Sequence, residues 1–441
     1  MVWSAVALVL LFLLLDAQNV GSRFRRPLQF AGGAPDEDFT IVVPLWGHPR
    51  YFRNARALEP YQANVLLAVN LCNDAMAGFA DEAEAEGWRV HRVAIADRVS
   101  VPKLVLAALE AVTTTYVIRM DGDTSPAEHP GNAIAAVRQG RADLASVKVR
   151  ASRRRTVMEK LQAVEYDMAM LGRHLRPWMT SGACMVGRTS ALRQILSRHS
   201  NWFPGEDIET GVIANHLRMR VRHVDFAVYT DVPETFLGWL NQRRMWWSGS
   251  FRMAFVNVDQ TIRYPITFFY TSGLVWLLCI AKWGELQNPA HVMYTLPFIL
   301  LIYTGVCAAS SWQVRSRWMI AFPYYSLFQV LVLPPLGFLF YLTLWWETRR
   351  LAPPGRYRIG FRARPLSLPV PDPAPARALA AVAAPVERRN LATRPWAMPE
   401  PTAQSRRPQL VSAAAGAVFE PRRATLGPRS GPFRLRPAPR R

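Results

Sequence analysis

The chain has 441 residues, half of them hydrophobic, with 15 Trp and a formal charge of +21. That length accommodates two or three domains. The four cysteines, Cys72, Cys184, Cys279 and Cys307, show no C-x-x-C spacing, which excludes a disulfide framework and a cysteine zinc site and fits a reducing, cytoplasmic setting for the soluble part.

Residues Val2–Leu15 are apolar except for Ser4, and Arg23, Arg25 and Arg26 follow them. Charge placed after the apolar run argues for an anchor with the following domain inside rather than a cleaved leader. The run is short of the ~20 residues a span needs, so Asp16–Val20 extends it and residues 1–22 form an N-terminal transmembrane anchor. A soluble domain over 38–260 follows. Thr40–Pro44, Val65–Asn70, Val90–Ile95 and Tyr116–Met120 read as strands, separated by helices at Asp74–Glu86, stopped by Gly87, and at Pro102–Val112. Strands alternating with helical patterns predict βαβ units, hence an α/β doubly wound and largely parallel sheet.

Leu144–Val149 is a further strand. Thr156–Arg173 carries apolar residues at helical spacing and is expected to pack on the core, with Arg153–Arg155 leaving an interfacial placement as the alternative. Ala183–Val186 is a short apolar run, Ser190–Ser197 a helix, and Gly205-Glu206-Asp207 opens a helix over Ile208–Leu217. Val221–Thr230 is extended. Glu234–Phe255 is a helix rich in Arg and Trp, suited to a membrane–water interface. Ile266–Ile280 and Val292–Ala309 read as spans. Met319–Trp346 is interrupted by Pro323 and Pro334-Pro335, which predicts either one kinked helix or an interfacial helix followed by a span. Residues 264–348 thus form a C-terminal membrane region. A re-entrant or extra segment around Phe322–Pro335 would keep the tail inside, where Arg349 and Arg350 favour it.

The tail, 353–441, is rich in Pro, Ala and Arg and reads as disordered. Between Arg349 and Arg441 lie 19 Arg and no Lys against Asp372, Glu387, Glu400 and Glu420. Most of the net charge therefore belongs to the tail, which is expected to be solvated and without a specific nucleic-acid partner.

The chemistry gathers around Asp121-Gly122-Asp123, at the end of a β-branched and apolar strand. Ligands of open α/β sheets bind outside the carboxyl ends of strands, and two carboxylates one residue apart suit a divalent cation that bridges to phosphate oxygens. Read alone, the stretch is more simply an Asp-Gly turn. Lys103 opens the preceding helix and could reach a phosphate, although a lone lysine is ordinarily a solvated side chain. Glu206 and Asp207 sit at a helix start, where a carboxylate in isolation is commonly a cap. Gln242-Arg243-Arg244-Met245-Trp246 offers guanidinium groups for phosphate and an indole face for a sugar.

In this order the motifs resemble the family 2, inverting, membrane-integrated glycosyltransferases, the group of cellulose, chitin and hyaluronan synthases and the nodulation-type chitooligosaccharide synthases. The resemblance covers roughly Phe39 to Phe255. Asp121-Gly122-Asp123 matches the D-x-D motif, Ser181-Gly182-Ala183-Cys184 looks like the acceptor-lining segment, and Gly205-Glu206-Asp207 is similar to the T/G-E-D motif. Tyr229–Thr235, running into Gln242–Trp246, resembles the approach to the Q-x-x-R-W motif. There are departures. The motif arginine falls on Met245, the uracil-reading aspartate is replaced by Asn70 with Asp74 four residues on, and the turn after the first strand is Pro44-Leu45-Trp46-Gly47-His48.

The resemblance implies a GT-A nucleotide-binding domain between N- and C-terminal transmembrane helices of an integral membrane protein, with the catalytic domain cytoplasmic. It implies transfer with inversion from a nucleotide-sugar donor, UDP-linked by expectation, to a growing polysaccharide, with a ceramide or polyprenyl lipid acceptor as the alternative. A degenerate, non-catalytic scaffold is the reading that Met245 and Asn70 motivate. Carried onto this chain, Asp207 is the catalytic base, and Asp123 with Asp121 holds Mg2+ or Mn2+. Trp46, Asn70, Asp74, Lys103, Asp121, Arg243 and Arg244 face the donor; Ser181, Gly182, Glu206, Gln242 and Trp246 face the acceptor. The expected partners are the donor, a carbohydrate or lipid acceptor and the bilayer, with an oligomer or export partner if the product is a polymer.

Overall fold

Three runs of sequence, Phe39–Leu45 (β1), Val65–Asn70 (β2) and Tyr116–Met120 (β4), are buried along their whole length. Strands covered on both faces need such continuous apolar runs. The computed structural model describes residues 26–95, 100–199, 204–256 and 314–351, with scattered positions between 287 and 305. Within them the remaining strands are Arg89–Val93 (β3), Thr124–Pro126 (β5), Leu144–Ala151 (β6), Cys184–Arg188 (β7) and Val221–Thr230 (β8). They form one sheet in the order β3-β2-β1-β4-β7-β6-β8-β5.

Alternation along β1 sends Ile41, Val43 and Leu45 to one face and Val42 to the other. The first face is covered by Asp74–Ala85 (α1) and Pro130–Gln139 (α3), through Met76, Ala80, Ala83, Ile134 and Val137. The second is covered by Val101–Ala108 (α2) and Thr189–Leu196 (α5), through Leu104, Val105, Leu192 and Ile195.

The expectation of a doubly wound, largely parallel sheet holds in part. The pairs β3-β2, β2-β1, β1-β4 and β6-β8 are parallel, but β7 runs antiparallel to both β4 and β6, and β5 is antiparallel to β8. The reason lies in the connections. β5 follows the acidic turn with no crossover helix, and β7 is reached only after Val157–Leu175 (α4) leaves the sheet. Neither β5 nor α3 stands out in the sequence, because β5 has three residues and four of the ten residues of α3 are alanine or glycine.

Helix α4 begins with a capping box, Thr156 and Glu159 exchanging hydrogen bonds with each other's backbone. Its apolar stripe (Leu161, Val164, Met168) packs against Trp239 and Trp247 of Phe236–Val256 (α7) and Phe322, Tyr325 and Leu333 of Phe322–Leu351 (α8). It is therefore a packed helix, as expected.

Of the two alternatives for Met319–Trp346, the structure has the single helix: α8 runs through Pro334 and Pro335. A Cβ on Gly337 would collide with Trp247, so α7 and α8 lie backbone-close here, and that packing sustains a helix across prolines that cost ~3 kcal/mol or more in a helix interior. Among the described residues, Phe322–Trp346 is the one helix long and apolar enough to cross a bilayer, with 25% of its apolar window buried. The expected anchor at 1–22, the span Ile266–Ile280 and the tail 353–441 lie outside the described residues, and Val292–Ala309 is described only in part.

Candidate active site

The acidic turn leaves β4 at the sheet's carboxyl edge. The amide of Asp121 donates to the Ala183 carbonyl at 2.9 Å, and the amide of Thr124 donates back to the Asp121 carbonyl at 3.0 Å. Between them Gly122 has no room for a side chain, since its Cβ would lie 2.6 Å from the Tyr51 carbonyl oxygen. The glycine of this motif is fixed by a neighbouring backbone.

Strand alternation places Arg119 and Asp121 on the same face, and Arg119 Nη2 donates to Asp121 Oδ1 at 2.7 Å. Arg119 is 5% exposed, and its Nη1 is buried with no hydrogen-bond partner. Withdrawal from water pushes the Asp121 carboxyl up to about 7; Arg119 opposes the shift, while Asp123 and Asp207 add to it. Asp123 is raised as well, by burial and then by Asp231, and accepts long hydrogen bonds from the hydroxyls of Thr124 (3.3 Å) and Thr230 (3.4 Å).

Glu206 and Asp207 occupy the first turn of Glu206–His216 (α6), whose N-cap is Gly205 at φ 95°. Neither carboxylate serves as the cap. Asp207 Oδ2 instead accepts from the Gly182 amide at 2.9 Å, and Oδ1 from the amide of Ile208 at 2.9 Å. Thr180 Oγ1 donates to the Asp207 carbonyl. A Cβ on Gly182 would stand 3.4 Å from Arg119 Nη1 and 3.7 Å from Asp207 Oδ2. Asp121, Arg119, Gly182 and Asp207 are therefore contiguous. Glu206 is held well above the usual carboxylate range, by burial first and by Asp207 second. Burial brings Arg173 of α4 down to about 10, with Asp207 and Tyr166 opposing. Ser181, buried, accepts from the Ala183 amide at 3.3 Å and so shapes the same segment.

Helix α7 supplies the third part. Trp246 is 40% exposed; the Arg243 guanidinium lies 3.9 Å from its ring centre, and Tyr166 meets it edge-on at 6.3 Å. Tyr166 joins this part to the others: burial pushes its phenol up to about 12, with Arg243 and Arg173 opposing the shift and Glu165 and Asp123 adding to it.

The cations expected to face the donor are placed otherwise. Arg243 is 1% exposed, donates to Glu165 at 2.5 Å and to Gln242 Oε1 at 2.7 Å, and is thereby committed inside the protein. A buried guanidinium needs a counter-charge, and Glu165 supplies it. Arg244, the next residue of the helix, lies over the Phe340 ring at 5.0 Å. Arg53 stands closer to the turn, pairing with Asp231 at 3.2 Å and acting on Asp123.

The other expected donor residues gather at the ends of β1 and β2. Asn70 is fully buried, accepts from the Ile95 amide at 2.9 Å and keeps an Nδ2 without a hydrogen-bond partner. Trp46 packs half-buried on the second face of the sheet, Asp74 is exposed in the first turn of α1, and Lys103 is half-buried in the first turn of α2. Sequence reading passed over Arg119, Tyr166, Glu165, Arg173 and Arg53, and quoted Asp231 only within the Tyr229–Thr235 stretch. Arg119 carried a signal, being the one charge inside a fully buried strand; the others had none that was local.

Among the described residues no three His, Cys, Asp or Glu side chains are grouped to hold a metal. Asp121 and Asp123 nevertheless fit a hard divalent cation: both are oxygen donors, and both are pushed toward protonation, by burial first and by neighbouring carboxylates after it. Such an ion would complete its shell with water and phosphate oxygens.

In comparison with known proteins, the family described as Glycosyl transferase family group 2 matches residues 116–342. No curated protein matches the sequence. Among solved structures, the mannosyltransferase PcManGT from Pyrobaculum calidifontis, in complex with GDP-Man and Mn2+, is similar at a TM-score of 0.45 and 15% identity, over 77% of this chain and 98% of that one. Glucosyl-3-phosphoglycerate synthase from Mycobacterium tuberculosis, with Mn2+, UDP and glucosyl-3-phosphoglycerate, gives a TM-score of 0.29 at 15% identity, over 45% of this chain and 73% of that one.

Proposed function

The chain belongs to glycosyl transferase family group 2 and is a glycosyltransferase, and from that premise we propose that it moves a sugar, with inversion, from a nucleotide-sugar donor to a growing polysaccharide at a membrane. The observation that carries this reading is the contiguity of Asp121, Arg119, Gly182 and Asp207 at one edge of the sheet.

Asp207 is the base that takes the proton of the acceptor hydroxyl. Its two oxygens are oriented by the amides of Gly182 and Ile208, which is the preorganisation a general base needs. Asp121 and Asp123 would hold Mg2+ or Mn2+, which when bound neutralises the charge of the leaving diphosphate. Arg119 fixes the orientation of Asp121. With Arg243 and Arg244 turned elsewhere, Arg53 is the side-chain cation at the turn for the donor phosphates. Trp46, Asn70 and Asp74 lie where the nucleoside would, and the unpaired Asn70 Nδ2 offers a donor for a UDP base. Gln242 and the exposed face of Trp246 form the acceptor platform.

A lipid acceptor is the second reading, and one observation favours it. Trp246 is followed by Trp247, which packs against the apolar helix α8 at Gly337, so the acceptor end of the site adjoins the one described helix able to enter a bilayer. Incubation with a panel of radiolabelled nucleotide-sugars, with metal and with chelator, followed by product sizing, decides between them. A ladder or long chain means polymer, and a single organic-soluble product means lipid. Asp207→Asn is expected to lower transfer by about 10²–10⁴-fold; wild-type transfer by this variant would remove the base assignment.

A further inference from the structure

The turn carrying Asp121 and Asp123 is gripped from outside by a dipeptide that belongs to no motif. The amides of Arg53 and Asn54 both donate to the Gly122 carbonyl, at 2.7 and 3.0 Å. The Asn54 side chain reaches further along the same turn. Its Nδ2 donates to the Asp121 carbonyl at 3.1 Å and to the Thr124 carbonyl at 2.5 Å. One residue thus holds the backbone at Asp121, at Gly122 and just beyond Asp123.

Asn54 does this against its local preference. It occupies the N-cap of the short helical turn Ala55–Leu58, where an asparagine ordinarily accepts an amide of the helix, yet it makes no side-chain cap bond. Its Oδ1 is buried without a hydrogen-bond partner, and the residue is 3% exposed. The amide cannot usefully flip, since that would set its oxygen against two carbonyl oxygens. A residue that forgoes its cap and leaves a buried oxygen unsatisfied breaks a local rule, and such breaks concentrate where a site is served.

We propose that Asn54 is a positioning residue for the cation- and diphosphate-binding carboxylates: it touches no ligand but sets the spacing of Asp121 and Asp123 for a divalent cation carrying a nucleoside diphosphate. This rests on the turn being the place where metal and donor diphosphate bind. Partners that orient metal ligands from behind typically cost about 10–100-fold in metal affinity when lost.

The test is Mn2+ binding by the purified full-length chain in detergent with UDP or GDP present, read from the loss of the free-Mn2+ electron paramagnetic resonance signal, alongside thermal melting. Asn54→Ala is expected to weaken Mn2+ binding about tenfold or more. Asn54→Asp keeps the shape but turns a carboxylate toward the two carbonyls, and is expected to weaken it at least as much; it carries the test if the alanine variant lacks a cooperative melt. Asn64→Ala is the matched control. Asn64 Nδ2 donates to the Phe39 carbonyl at 3.1 Å, at the opposite end of β1, so its loss should lower Tm and leave Mn2+ affinity unchanged. Absence of binding by the wild type with either nucleotide would overturn the reading of the turn itself. Wild-type binding matched within twofold by the Asn54 variants, or weakened equally by Asn64→Ala, would overturn the positioning role and leave the metal reading standing.

Discussion

The two halves of the proposed site are held by different means. At the donor half, the acidic turn is held by its backbone: the amides of Arg53 and Asn54 on Gly122, the Asn54 side chain on the Asp121 and Thr124 carbonyls, the Asp121 amide on Ala183, and a Tyr51 carbonyl that admits only glycine. At the acceptor half, Trp246 is held by side chains of three helices. Arg243 lies under its ring, Glu165 of α4 holds Arg243, and Tyr325 of α8 donates to the same Glu165 at 2.6 Å while accepting from Trp239 at 2.7 Å. A backbone-held turn tolerates little change anywhere. A platform held by a charge network depends on a few partners and is coupled to α8.

The sharpest way to break that contrast is at Arg243. Truncating one member of a buried ion pair strands the other, at a cost of about 3–5 kcal/mol, so Arg243→Ala should lower stability by that order and free the Trp246 ring. Replacing both members by apolar residues, Arg243→Met with Glu165→Leu, should recover most of the loss in denaturant unfolding. If the single variant were as stable as the wild type, the network would not be what holds the acceptor half.

Gly122→Ala tests the other half and should cost less stability, about 1–3 kcal/mol for forcing a methyl group into a packed site, while abolishing most transfer because the displaced backbone carries Asp121 and Asp123. Chemical denaturation and donor turnover, measured together, separate the two effects. A variant that transfers normally would show that the turn's backbone position is unimportant.

The donor half was the legible one. D-x-D, its glycine and the strand before it are contiguous in sequence, so Tyr116–Met120 and the turn could be placed without knowing their neighbours. Asp207 was legible as a motif, although its partner Gly182 becomes apparent only when β7 pairs with β4. The acceptor half misled for a physical reason. Adjacent arginines on a helix are about 100° apart and so face different neighbours, and nothing local in Gln242–Trp246 says that Arg243 faces Glu165. Asn54 was invisible because its work is done on carbonyls, which every residue has. The mixed half of the sheet was missed because a three-residue strand has too little sequence to show a period.

The pH dependence of stability offers a milder probe of the donor half. Asp121 is raised from 3.8 to about 7 in the folded protein, so the native state binds the extra proton. Its contribution is fully present below the unfolded value and is lost as pH rises through the folded one. Metal-free protein should therefore lose Tm relative to Asp121→Asn between about pH 4 and pH 7, and added Mn2+ with UDP should flatten the difference. A Tm difference that is independent of pH without metal would show that burial does not hold the Asp121 carboxyl above its ordinary range.

The smallest effect is expected at Arg244, and it is the most informative about the sequence motif. Its guanidinium lies over Phe340 of α8, an arrangement worth about 0.5–1 kcal/mol at an exposed site. Arg244→Ala should therefore change stability by no more than that and leave the donor KM unmoved, whereas Arg53→Ala should raise it. If the two variants exchange these outcomes, Arg244 swings to the diphosphate on donor binding and the motif's position outweighs the side chain's resting place. If they do not, the phosphate-binding cation has moved from the helix that ends the domain to the loop after its first strand, and Met245 marks a position that no longer needs one.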